Sequence, residues 1–186
     1  MNRFVDGMTS PDNFNKMYMV DLDPDANGDY FDDNYQNHAV SYRADEETEM
    51  LAGNMLNASV SQNGKYLAFS TGVNELTTSA GIMLFKFSGN DVDGTLDVSQ
   101  REAVFIGGGS LARVSPRGDS VAFLTRDNLT ADDDNQDGVD ADIYLSSGET
   151  AGGSFSNRQL ELVSKSHDGG GSAGNGGYVI KHIAIS

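Results

Sequence analysis

Val60-Ser61-Gln62-Asn63-Gly64-Lys65-Tyr66-Leu67-Ala68-Phe69-Ser70-Thr71 returns as Val114-Ser115-Pro116-Arg117-Gly118-Asp119-Ser120-Val121-Ala122-Phe123-Leu124-Thr125. Both copies obey V-S-x-x-G-x-x-[LV]-A-F-x-T, and the step from Ser61 to Ser115 is 54 residues. A fixed period of this size marks an array of repeated units. Each copy is expected to be a hairpin. Val60 or Val114 ends one strand, and Gly64 or Gly118 supplies φ > 0 in a polar turn. Tyr66–Ser70 or Ser120–Leu124 then returns as a buried strand. Ala68 and Ala122, set between larger residues, let neighbouring sheets approach closely.

Outward from the hairpins, further strands follow in step. Ile82–Phe87 and Asp142–Leu145 read as third strands, Glu102–Ile106 and Leu160–Ser164 as fourth strands. Lys16–Asp21 and His38–Tyr42 form a matching pair before the first copy. No segment sustains a 3.6-residue apolar period, so almost no helix is expected. The fold class is all-β, a β-propeller-like array of four-stranded antiparallel blades in which each sheet buries its faces on the next. Residues 1–186 read as one domain: a partial blade over 1–50, blades over 51–106 and 107–165, and the start of another over 178–186.

The units resemble the TolB-type propeller repeat, S-x-D-G-x-x-[VIL]-A-F-x-[ST], then N-L, an acidic Asn/Gly loop and D-[IV]-[FY]. The residues that carry the resemblance are Ser115-Pro116-Arg117-Gly118, Val121-Ala122-Phe123, Asn128-Leu129, Asp137-Gly138 and Asp142-Ile143-Tyr144. The other copy keeps Ser61-Gln62-Asn63-Gly64, Leu67-Ala68-Phe69 and Glu75-Leu76 but lacks the acidic loop. Arg117 and Asn63 stand where the family usually has Asp. The resemblance covers most of residues 55–165. It implies a periplasmic, cell-surface or extracellular setting, or company with a peptidase domain, and it specifies architecture rather than activity.

His182–Ser186 aligns with Asn57–Ser61 and Leu111–Ser115, and Arg3-Phe4-Val5 with Ala68-Phe69-Ser70. On this phase the array is incomplete, or closed only by oligomerisation. One expectation is a piece of a longer propeller. The other is strand exchange between copies, since three blades do not close a ring and end strands are open to pairing.

Composition narrows the partners. Twelve Lys+Arg against 28 Asp+Glu give a formal charge of −16, which repels nucleic-acid backbones and anionic membrane surfaces. The same acidity serves solubility in saline surroundings. There is no cysteine, hence no disulfide or thiolate metal site. No stretch approaches the ~20 apolar residues that span a bilayer, and MNRFVDGMTS lacks the apolar core of a signal peptide.

Two acidic loops share a spacing. Asp133-x-Asn135-x-Asp137-Gly138 is followed by Asp142, and Asp23-x-Asp25-x-Asn27-Gly28 by Asp32. Alternate oxygen side chains on a tight turn converge on one hard cation, with a backbone carbonyl from Val139 or Asp29 as a further donor. All-oxygen donors make Ca²⁺ the expected cofactor. Tyr144 and Asn34 stand where an EF-hand has its bidentate Glu, so these would be β-loop sites. The competing reading is that Asp-Gly and Asn-Gly make polar turns. Asn90–Gly94 with Asp97 is a third acidic loop, poorer in ligands.

Other motifs carry nothing. Gly169-x-Gly171-x-x-Gly174 lacks the strand before and helix after that a dinucleotide fingerprint needs. Gly107–Ser110 lacks the Lys of a phosphate loop, and no G-x-S-x-G elbow accompanies Ser164, His167 and Asp168. No catalytic residue is assigned and the chain is not expected to be an enzyme. The expected function is a non-catalytic, calcium-stabilised propeller scaffold binding protein or glycan outside the cytoplasm, without nucleic acid and without membrane insertion. A self-assembling subunit, a homo-oligomer through its end strands, is the first alternative. A propeller fragment of a larger hydrolase or peptidase is the second.

Overall fold

Both copies of the repeat close through the same turn. In the first, Ser61 N–H donates to the Tyr66 carbonyl (2.9 Å), Gly64 N–H to the Ser61 carbonyl (3.0 Å), and Tyr66 N–H to Ser61 Oγ (3.0 Å). In the second, Ser115 N–H donates to the Ser120 carbonyl (2.9 Å), Gly118 N–H to the Ser115 carbonyl (2.9 Å), and Ser120 N–H to Ser115 Oγ (3.2 Å). Gly64 and Gly118 have φ of 70° and 83°, as the turns require. The computed structural model describes residues 16–21, 36–39, 52–73, 76–90, 96–133, 141–148, 155–164 and 183–185.

Around these turns the chain is all-β, with no helix among the described residues. β1 (Tyr18–Asp21) pairs antiparallel with β2 (Gln36–Ala39) as a two-stranded sheet. The first four-stranded sheet is an antiparallel meander of β3 (Met55–Val60), β4 (Tyr66–Thr71), β5 (Gly81–Asn90) and β6 (Leu96–Gly107). The second repeats it with β7 (Ser110–Val114), β8 (Ser120–Thr125), β9 (Asp142–Ser147) and β10 (Gln159–Leu162). Among the described residues the sheets form no closed ring. No described helix is long and apolar enough to cross a membrane.

Some strands differ from their expected bounds, for local reasons. β5 and β6 run on into a long hairpin, with Gly89 opposite Asp97 and Asn90 opposite Leu96, because backbone pairing continues past the apolar patch. β10 stops at Leu162: Val163 N–H turns to the Ile143 carbonyl, and Ser164 Oγ accepts from Ile143 N–H in place of the ladder. β2 begins at Gln36, two residues before the expected His38, and residues 40–42 lie outside the described residues.

The second sheet lies on the first. β7 packs against β3, β4 and the near part of β5. Ala68, Ile82 and Leu84 meet Ala112, Val114, Val121, Phe123, Tyr144 and Leu162 in one buried cluster that Phe155 closes. Each fully buried large side chain there contributes about 1.5–3 kcal/mol. Ala68 is wholly buried in this seam, as its small size between larger neighbours implies. The opposite face of the first sheet buries Leu67, Phe69, Met83, Phe85 and Phe87. Phe69 and Phe85 meet edge to face at 5.0 Å, and the Arg101 guanidinium lies 4.8 Å from the Phe85 ring.

The seam is also polar at its margin. Gln62 N–H donates to the Pro116 carbonyl (3.0 Å), joining one turn to the next, and Val114 N–H donates to Ser59 Oγ (3.1 Å). Asn57 and Leu111, again 54 residues apart, both take the left-handed conformation, φ 55° and 54°. Each sits at a register shift in the first strand of its sheet, so the two sheets share a bulge as well as a turn.

Candidate functional site

Two features of the second sheet have the makings of a site. The first is the acidic network at the β8–β9 end. Asp142 opens β9 opposite Thr125, the last residue of β8, and is 2% exposed. Its Oδ1 accepts from Ser164 Oγ (2.5 Å), and that same Oγ accepts from Ile143 N–H. Asp133 is 7% exposed, and its Oδ2 accepts the Tyr144 hydroxyl (2.5 Å). The Tyr144 oxygen in turn accepts from Leu129 N–H (3.1 Å), and Asn128 Nδ2 donates to the Asp133 carbonyl (3.3 Å). Burial, then the bond to the Asp133 carboxylate, raises the Tyr144 pKa above its ordinary value of 10.

Of the expected calcium ligands, Asp133 and Asp142 are therefore described. Both are buried, and each has one carboxylate oxygen engaged by a hydroxyl. Asn135, Asp137 and Val139 lie outside the described residues, as do Asp23, Asp25, Asn27, Asp29 and Asp32. Among the described residues no group of three His, Cys, Asp or Glu side chains converges. The third acidic stretch is spanned by the β5–β6 hairpin, with 91–95 outside the described residues.

The second feature is the outer face of the same sheet, the side turned away from the first. Ala122 on β8 and Ile143 and Leu145 on β9, with Val163, floor a cleft of about 800 Å³. Ile183 and Ile185 line one wall, and the Ser115–Ser120 turn forms the rim. Val163 is 52% exposed. The rim holds a serine beside a carboxylate, because Ser115 Oγ donates to Asp119 Oδ1 (2.7 Å). This pair is a turn device rather than a nucleophile with its base. Ser61 Oγ donates to Asn63 Oδ1 (2.7 Å) in the other turn, where the acceptor is an amide that cannot take a proton. Arg117 stands at the place that Asn63 holds in the first turn, and Asp119, two residues later, supplies the acceptor instead.

Arg158 fastens the rim to the sheet. Its Nε donates to Ser146 Oγ (2.8 Å), and Nη2 to the carbonyls of Asp119 (2.8 Å) and Ser146 (2.9 Å). Sequence reasoning did not single out Arg158 or Tyr144 as network members, since both depend on partners distant in the chain. The tyrosine had one signal, its place in D-[IV]-[FY] after an acidic loop. Against known proteins, no family model matches the chain, no curated protein is similar to it, and no solved structure matches it.

Proposed function

We propose that this chain is a non-catalytic β-propeller-type scaffold that binds another protein, outside the cytoplasm, with Ca²⁺ held by its acidic loops. The observation that carries the binding reading is the outer face of the second sheet, a partly open cleft floored by aliphatic side chains. Such a floor suits an apolar protein surface; a glycan would be better served by exposed aromatic rings, and none of the described residues lining the cleft is aromatic. The repeated turn accounts for the one serine–carboxylate pair at the rim, which leaves that pair without a catalytic task. The resemblance to TolB-type repeats supports both the propeller architecture and the location. The burial of Asp133 and Asp142 at one end of the sheet supports the calcium part.

Thermal unfolding in excess EDTA and then in millimolar Ca²⁺ tests that part. A native-state site at 100 times Kd stabilises by about 2.7 kcal/mol, a rise of several degrees. Asn135→Ala with Asp137→Ala is expected to abolish it, and these positions avoid Asp133, which also holds Tyr144. No shift with Ca²⁺ would leave the loops as ordinary polar turns. Turnover of peptide, ester or glycoside probes by the purified chain would overturn the non-catalytic reading.

A further inference from the structure

One row of four residues crosses each sheet at matching places, and the two rows differ in charge. In the first sheet Ser59 pairs with Ala68, Ala68 with Leu84 and Leu84 with Val104. In the second, Arg113 pairs with Ala122, Ala122 with Leu145 and Leu145 with Glu161. The first row is uncharged and lies under the second sheet, with Ala68 and Leu84 wholly buried. The second keeps the aliphatic middle and sets opposite charges at its two ends. Side chains alternate along a strand. Ala112 and Val114 on either side of Arg113, and Leu160 and Leu162 on either side of Glu161, face the seam, so both charges belong to the outer face. Arg113 Nη1 donates to the Ala112 carbonyl (2.7 Å), which holds the guanidinium on β7, and Glu161 on β10 is exposed. Arg117, also exposed, adds a second cation at the cleft rim. A cover built like the seam, with an uncharged row, would desolvate Arg113 and Glu161 and give them no counter-charge. The face therefore fits a surface whose charges answer its own.

We infer that this outer face docks a different, net basic protein through an extended segment with a carboxylate, an aliphatic side chain and a cation at alternate positions. This gives the chemistry of the partner in the protein-binding reading above and rests on it. β7 and β10 are three strand spacings apart, about 14 Å. Alternate residues of an extended segment share one face, and four steps of ~3.4 Å cover the same span. The segment lies across the strands, its carboxylate toward Arg113 and Arg117, its aliphatic side chain over Ala122 and Leu145, and its cation toward Glu161. A formal charge of −16 steers a basic partner to the chain and repels a second copy. The charges at the row's ends then fix which way round the segment lies, because reversal sets like charges together.

The test is selection of a displayed random-peptide library on the full chain, with the affinity of recovered peptides read by fluorescence anisotropy. The peptides are expected to share the order carboxylate, x, aliphatic, x, cation. Glu161→Arg, at an exposed position, is expected to weaken them at least tenfold. Arg113→Glu with Glu161→Arg, checked for an unchanged circular dichroism spectrum, is expected to prefer peptides with the two charges exchanged, a reversal that a merely structural role would not produce. On the unaltered chain, bound peptide should slow amide exchange in β8, β9 and β10. Peptides with no shared charge order, or affinities indifferent to the exchange, would overturn the inference. So would a mass above 19.8 kDa for the chain alone in light scattering that the peptides reverse, since the face would then belong to a second copy. The two readings fail separately. Peptides held on this face without charge order sink the inference and leave the protein-binding scaffold standing, whereas cleavage of the peptides sinks the scaffold and leaves their charge order readable.

Discussion

Gly64 and Gly118 occupy the same turn with nearly the same φ, but adding a methyl group to each has different consequences. A Cβ on Gly64 meets no described atom within 4 Å. Gly64→Ala is therefore expected to cost only the left-handed conformation, about 1–2 kcal/mol. A Cβ on Gly118 would stand 1.9 Å from Tyr66 Cδ2 and 2.3 Å from its Cγ, near the root of the ring. The ring cannot withdraw there without leaving the seam, so overpacking adds about 1–3 kcal/mol. Gly118→Ala should then cost about 2–5 kcal/mol in total. Urea unfolding at a slope of about 2 kcal/mol per molar separates the two variants by about 0.5–1.5 M in midpoint. Placing Gly118→Ala in a Tyr66→Ser background, serine being the residue of Ser120 at the matching place, should recover much of the difference as a coupling of about 0.5–3 kcal/mol. Coincident midpoints for the two glycine variants would refute the reasoning, because they would mean that the second turn does not rest on Tyr66.

Further consequences follow from the network and the bulge. Tyr144→Phe removes the donor to the buried Asp133 carboxylate and is expected to cost about 1–3 kcal/mol, read by the same urea titration. The folded-state pKa of Tyr144 is raised above 10, so its contribution is complete below pH 10 and is lost as pH rises through the folded value. The stability gap between wild type and Tyr144→Phe should accordingly narrow in alkali, as pH-dependent unfolding would reveal; a gap that stays constant counts against it. Asn57 is exposed at φ 55°, so Asn57→Leu should cost about 1 kcal/mol while Asn57→Gly stays within a few tenths. Equal midpoints for these two would show that the bulge does not hold its left-handed residue.

What was legible in the sequence was whatever the repeat stated twice. The V-S-x-x-G-x-x-[LV]-A-F-x-T copies marked both hairpins, the two φ > 0 glycines and the alanine at the seam, because turn chemistry and alternation are local. Leu111 was not legible as a left-handed residue, since nothing about leucine favours that conformation. Its position emerges only when aligned with Asn57 in a known bulge. The polar half of β6 was missed for a related reason: backbone pairing extends it from Leu96, beyond the apolar residues that drew attention to 102–106. In the candidate site, Asp133 and Asp142 were chosen as cation ligands by spacing. Their bonds to Tyr144 and Ser164 depend on chain segments 11 and 22 residues away, which spacing does not report.

The serine turns carry a consequence for how such units diverge. One unit caps its serine with an amide two residues on, the other with a carboxylate four residues on, and the same hydroxyl is held at 2.7 Å in both. What passes from unit to unit is the bond, while the position that supplies it is free to wander. An arginine where the other unit has its amide is then neutral rather than damaging, provided an acceptor arises nearby. Units built this way drift apart in letters long before they drift apart in shape, and their kinship is better sought in paired substitutions within a turn than in any one invariant residue.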